Sequence, residues 1–308
     1  MRVFIVVSGI VIGTSLQPVG LTGGIATGKS TVSSLLQQSS LSSQSHNENV
    51  VEVEFVIIDV DKIAHDILLP PEKLTTNSNE SVYHRLVDEF GSDILTKEDG
   101  GGGQDDNNKI DATTVNPMID RRKLGDIVFP DRLKRRKLNS ITHPKIIKIM
   151  LQRILFEGLN LQWSRFFFSK TNNLYNAQKK KKKKRVVCVD IPLLFEGGLP
   201  MRILFGTIIV VVCNPKLQLE RLRTRNQDLT LDQCRQRIAS QIPVQDKARK
   251  ANFVVHNDGS MKSLKNEVMQ VKQQVANVVS AGSPQRGIEL PWLVIGIARL
   301  LLLNQCLR

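Results

Sequence analysis

The stretch "VGLTGGIATGKSTV", residues 19–32, constrains this chain more than any other. An apolar lead-in passes into a loop nearly bare of side chains and then into Lys29, Ser30 and Thr31. Such a loop lets several backbone N–H groups converge on one anion, and a helix starting directly behind it aims its positive end at the same point. Residues 23–30 read Gly-x-x-x-x-Gly-Lys-Ser, the spacing of a phosphate-cradling loop between a strand and a helix. The pattern assigns a nucleoside triphosphate to Gly23, Gly24, Ile25, Ala26, Thr27, Gly28, Lys29, Ser30 and Thr31. Lys29 reaches the β- and γ-phosphates, and the Ser30 hydroxyl is the expected magnesium ligand. A nucleoside triphosphate with Mg2+ is therefore the expected phosphate donor, and the rest of the chain must say what accepts the phosphoryl group.

A net charge of +14 and a pI near 9.8 invite a nucleic-acid reading. Half of that charge, however, sits in one run, "KKKKKKR", residues 179–185. Aromatic residues are only 5% of the chain and do not interleave with the basic ones, so no stacking platform for bases is expected. The run reads as a solvated loop, with attachment to acidic lipid as its functional alternative. The four cysteines (Cys188, Cys213, Cys234 and Cys306) form no Cys-x-x-Cys pair. That points away from a disulfide framework or a zinc site and toward a reducing, cytoplasmic compartment. A chain of 308 residues can bury a substantial core, and nothing in it fixes an oligomeric state.

Strands alternate with helices along the sequence, which predicts an α/β fold with a parallel sheet. The predicted strands are 18–22, 51–59, "VVCVDIPLL", "GTIIVVVC" and "NFVVHN". Helices are expected from Lys29 to Leu36, across 117–162, from Pro215, over 231–241 and over 261–279. Within 117–162, Pro144 reads as the first turn of the helix "HPKIIKIMLQRIL". Residues 1–16 form an apolar leader without a clean cleavage site, fitting a disordered or strand-extending segment better than a signal peptide. The main domain is expected over 17–279, with insertions near 97–110 and 163–185. Residues 280–308 follow as a polar linker and an apolar tail, "PWLVIGIARLLLL", too short to span a bilayer and interrupted by Arg299.

The segment "IIDVDKIAH", residues 57–65, supplies Asp59 and Asp61. Side chains along a strand alternate faces, so Asp59 and Asp61 are expected to point the same way at its C-terminal end, where ligands of open α/β sheets sit. A carboxylate there can take a proton from an attacking hydroxyl or hold magnesium. Alternatively, Asp61 merely caps the helix "KIAHDIL". His65 reads as a surface or packing residue. Arg221 and Arg225 share one face of a helix and Arg223 lies on another, so they serve either as exposed charge or as cations for a transferring phosphoryl group.

Taken in order, "GLTGGIATGKSTV", "IIDVDKIAH", "RRKLGDIVF" with "LNSITHPKI", "VDIPLLFE", and "QLERLRTRNQDLT" with "QRIASQIPVQDKARKANFVVHNDGS" resemble the dephospho-CoA kinase family over residues 17–275. The resemblance implies a three-layer P-loop kinase fold with a helical substrate-binding region and a lid. It also implies ATP-dependent phosphorylation of the ribose 3′-hydroxyl of dephospho-CoA, the last step of coenzyme A synthesis. Thr22, Asp61 and Arg225 fall on the family's active-site positions, with Asp61 as the base and Arg225 in the lid. Arg122 and His143 fall in the substrate-covering region, where His143 is equally readable as fixing a helix start. Asp190, ending a strand beside the loop, takes a metal- or substrate-side role with Asp59. The tail resembles an apolar extension of eukaryotic members and suggests membrane contact. Two rivals remain: a P-loop kinase of another small acceptor such as a nucleoside, and a basic membrane or nucleic-acid adaptor with a silent loop.

Overall fold

The computed structural model describes residues 2–7, 10–15, 18–38, 53–70, 82–96, 117–168, 184–197, 202 and 204–281. The glycine-rich stretch 97–110, residues 179–183 of the lysine run, the linker from 282 and the apolar tail lie outside them. Two compact units emerge, one of residues 1–59 with 153–308 and one of residues 60–152.

The first unit is built on a five-stranded parallel sheet of β3 (Val19–Gly23), β4 (Val53–Asp59), β5 (Lys184–Asp190), β6 (Thr207–Val212) and β7 (Phe253–His256). Its order is β4-β5-β3-β6-β7, which places the strand feeding the glycine loop at the centre. The leader is a separate antiparallel pair, β1 (Arg2–Val7) with β2 (Ile10–Ser15). Near-continuous β-branched runs such as "TIIVVV" suit strands covered on both faces, and every residue of β6 is buried. One face lies under α1 (Lys29–Gln37) and α9 (Met261–Ala281). Leu264, Val268, Val271, Val275 and Val279 repeat at helical spacing along α9 and join Val19, Leu21, Phe55, Cys188 and Ile209 in one core. Each large side chain so buried is worth roughly 1.5–3 kcal/mol.

Lys272 in α9 donates from Nζ to the carbonyls of Leu36 and Gln38, at 3.0 and 2.9 Å. A cation at that end complements the negative pole of α1, although burial pulls the ammonium pKa below its usual value. The strand β5 starts at Lys184, so Lys184 and Arg185 of the lysine run are strand residues. Arg185 pairs with Glu54 at 3.2 Å. Three short helices complete this part of the chain: α6 (Pro215–Arg225), α7 (Leu231–Ala239) and α8 (Val244–Ala248).

The second unit is helical, comprising α2 (Val60–Asp66), α3 (Val82–Phe90), a 3-10 turn at Ser92–Ile94, α4 (Arg121–Val128) and the first part of α5 (Arg132–Phe168). Tyr83 Oη donates to the Pro117 carbonyl (2.6 Å), and Lys123 Nζ to that of Leu95 (2.6 Å). The span 117–162, expected to be helical, breaks at 129–131. Phe129 is still helical, but Pro130 has no N–H to carry the helical ladder on, and Asp131 restarts the helix by accepting from the N–H of Leu133 and Lys134 at 2.7 and 3.2 Å. Pro144 is therefore not in a first turn. It lies about three turns inside α5, so His143 does not fix a helix start.

Candidate functional site

The loop leaves β3 at Gly23 and enters α1 at Lys29. Gly28 caps the helix at φ 86, and a Cβ there would overlap the side-chain amide of Asn257. Ala26 also adopts a left-handed backbone, at φ 57, an arrangement costing on the order of 1–2 kcal/mol that clusters at ligand loops. No side chain caps the N-terminus of α1 and no acid lies in its first turn. The dipole and the unspent N–H groups there are left for an anion. Gly28→Ala is expected to weaken ADP binding at least tenfold, roughly 1.4 kcal/mol, because both the turn and the overlap must relax. Titration calorimetry checks this, and unchanged affinity would show that the loop tolerates the shift.

Lys29 is ion-paired through Nζ with Asp190. Asp190 is buried at the end of β5, in register with Leu21 of β3 and Asp59 of β4. The adjoining C-terminal ends of three parallel strands thus present the loop, Asp190 and Asp59 together, the crevice where open α/β sheets bind ligands. Thr22 is fully buried beside them and donates its hydroxyl to the Pro192 carbonyl at 3.1 Å. Burial, followed by the neighbouring Asp190 charge, pushes the Cys188 thiol far above its ordinary range, which removes it as a nucleophile. Among the described residues no group of three His, Cys, Asp or Glu side chains could hold a metal. The donors present are hydroxyl and carboxylate oxygens, which suit a magnesium ion that keeps most of its waters.

Behind the loop, four side chains from distant segments hold its backbone. Lys247 in α8 is fully buried, donates to the Gly23 carbonyl at 3.2 Å and pairs with Glu196 at 2.6 Å. Asn257 donates to the Thr27 carbonyl at 2.9 Å. Gln218 in α6 donates to the Ile25 carbonyl at 2.8 Å, and Gln241, just past α7, accepts from the Ile25 N–H at 2.9 Å. The sequence reading missed all four. The signal of Gln218 lay in "QLERLRTRNQDLT" and that of Gln241, Lys247 and Asn257 in "QRIASQIPVQDKARKANFVVHNDGS", where none of the four stands out from ordinary surface polar residues.

The arginines separate in role. Arg221 donates to the Asn257 carbonyl at 3.0 Å and so braces the loop's support, while Arg223 and Arg225 are exposed on α6. A capping box at Thr230 and Gln233 starts α7 after the turn that follows Arg225.

Asp61, Arg122 and His143 belong to the second unit. The strand β4 ends at Asp59 and α2 begins at Val60, so the alternation argument fails for Asp61. Asp61 occupies the first turn of α2, where a carboxylate also favours the helix dipole. Arg122 is exposed in the first turn of α4, its backbone N–H held by Asp120 at 2.8 Å. His143 is exposed on α5, and His65 is exposed near Asp66.

Residues 17–160 and 169–263 match the family model described as dephospho-CoA kinase. A dephospho-CoA kinase of Carboxydothermus hydrogenoformans is 35% identical over 260 residues, covering 84% of this chain and 94% of that protein. A dephospho-CoA kinase domain-containing protein of Danio rerio is 34% identical over 257 residues, covering 83% and 84%. The crystal structure of TT1252 from Thermus thermophilus superposes with a TM-score of 0.51 at 21% identity, over 84% of this chain and 98% of that one, a likeness of fold. With the family model matched over more than half of the chain and relatives above 30% identity over most of it, this protein belongs to the dephospho-CoA kinase family.

Proposed function

We propose that the chain transfers the γ-phosphoryl group of ATP to the ribose 3′-hydroxyl of dephospho-CoA, giving coenzyme A and ADP. The observation that carries this is the Lys29–Asp190 pair at the mouth of an uncapped, acid-free helix N-terminus, in a chain of this family. In the resting chain Asp190 occupies the ammonium that a triphosphate would claim. Phosphate oxygens arriving on the α1 amides would draw Lys29 to the β- and γ-phosphates and free the Asp190 carboxylate. Magnesium, held by the Ser30 hydroxyl with Asp190 or Asp59 through water, supplies charge neutralisation on the phosphates. Asp61 is proposed to accept the proton of the 3′-hydroxyl, and Arg225 to meet charge on the transferring group. Thr22 holds the floor of the site through Pro192, and Arg122 and His143 are assigned to the acceptor. ADP release measured with dephospho-CoA, with adenosine and other nucleosides, and with no acceptor tests the reading. It requires stimulation by dephospho-CoA, and equal rates with a nucleoside would refute it.

Membrane contact through residues 291–303 is a separate proposal, resting on their apolar sequence after a polar linker. Among the described residues no helix is long and apolar enough to cross a membrane. Large side chains at ~1.5–3 kcal/mol each favour shallow insertion, with Arg299 snorkelling to the surface. Truncation after Ala281 keeps α9 whole and is expected to leave full kinase activity while abolishing sedimentation with anionic liposomes. Loss of folding on truncation, or a full chain that never sediments, would assign the tail to the fold instead.

A further inference from the structure

Ile25 is the only residue of the glycine loop whose N–H and C=O are both engaged by side chains among the described residues. Both partners are glutamines, one 193 and the other 216 positions away in sequence. Gln218 precedes, and Gln241 follows, the segment that carries Arg221, Arg223 and Arg225 and then α7. A backbone N–H can only donate and a carbonyl can only accept, so the amide orientations are fixed. Gln241 offers oxygen and Gln218 offers nitrogen. Gln218 is almost fully buried, and losing either partner leaves a backbone group of the loop without a mate.

We infer that Gln218 and Gln241 are positioning residues. By holding both faces of one peptide residue, they tie the two ends of the arginine-bearing segment to the phosphate loop, so that the loop's shape and the place of those arginines are set together. Both act through Ile25 and touch no phosphate in this account. The loop amides that face the anion keep their convergence only while residue 25 is pinned. Where this pinning is lost, residue 25 turns to seek other partners, and its neighbours Gly24 and Ala26 turn with it. The consequence is specific: affinity for the phosphates should fall, whereas affinity for the nucleoside portion, which the loop does not hold, should not.

The inference rests on the nucleotide reading of the loop, and binding calorimetry with two ligands separates the two. For the full chain, Gln241→Met and Gln218→Met are each expected to weaken ADP binding about tenfold and to leave adenosine binding unchanged. In steady state the Michaelis constant for ATP should rise with kcat falling less. The double variant should lose little more than the worse single one, because both bonds end on the same residue. Gln241 is partly exposed, so its variant carries the test alone should Gln218→Met fail to fold. Unchanged ADP affinity, an equal loss for adenosine, or additive losses near a hundredfold would each overturn the inference. A wild-type chain that binds no ADP would instead overturn the nucleotide reading itself, and the inference with it.

Discussion

Asp61→Asn is expected to lower turnover by roughly 10²-fold or more while leaving ATP affinity nearly unchanged. Asparagine keeps the size and the capacity to accept a hydrogen bond but cannot take a proton from the acceptor hydroxyl. The side chain is exposed in the first turn of α2, so the exchange should cost at most about 1 kcal/mol of stability through the helix dipole. Lys29→Ala should behave differently. Its ammonium meets ground-state phosphates, so both ATP affinity and turnover should fall, and Asp190 would be left buried without its cation. Steady-state kinetics with ATP titrations at saturating dephospho-CoA distinguishes the two patterns. Near-normal turnover in Asp61→Asn removes that residue from the proton transfer and leaves it as a helix-terminal acid.

Lys247→Met is expected to destabilise the chain by about 3–5 kcal/mol. The lysine is fully buried, and its loss strands the Glu196 carboxylate, whose Oε1 would keep only the Ile242 N–H at 3.2 Å. The second oxygen, Oε2, is buried with no hydrogen-bond partner among the described residues, and only 20% of the side chain is exposed, so little is at hand to replace the lost cation. The Gly23 carbonyl also loses its donor, and the loop with it one of its four anchors. Adding Glu196→Gln to Lys247→Met should recover part of the loss, since neutralising both members removes the stranded charge. Urea unfolding measures both effects. A single variant within about 1 kcal/mol of wild type would mean that solvent reaches Glu196 freely once the lysine is gone.

What could be read from the sequence follows how local each constraint is. The glycine loop was legible because its spacing is itself the mechanism, and β3 and α1 had to flank it. The strands β5 and β6 were legible as apolar β-branched runs. The start of α5 was not, because Pro144 carries a strong first-turn signal, whereas the cap that marks the boundary is a single aspartate, Asp131. Asp61 was misplaced onto a strand because alternation was extended two residues past the point where Val60 turns helical. The helix α3, "VYHRLVDEF", buries Val82, Tyr83 and Leu86 and is absent from the helices expected from the sequence. The loop's supports were beyond local reading altogether. Gln218, Gln241, Lys247 and Asn257 are polar residues that ordinarily face water, and only the folded chain brings them to a segment some two hundred positions earlier.

The central claim is a phosphoryl transfer to one particular hydroxyl, so locating the new phosphate on the product tests it most directly. Purified chain would be incubated with ATP, Mg2+ and dephospho-CoA, and the product examined by phosphorus NMR with proton coupling. One new monoester phosphate coupled to the ribose 3′-hydrogen is expected, formed in equal amount to ADP and absent from the Asp61→Asn reaction at matched times. ADP formed at the same rate with and without dephospho-CoA, or a phosphate on any other oxygen, would contradict it.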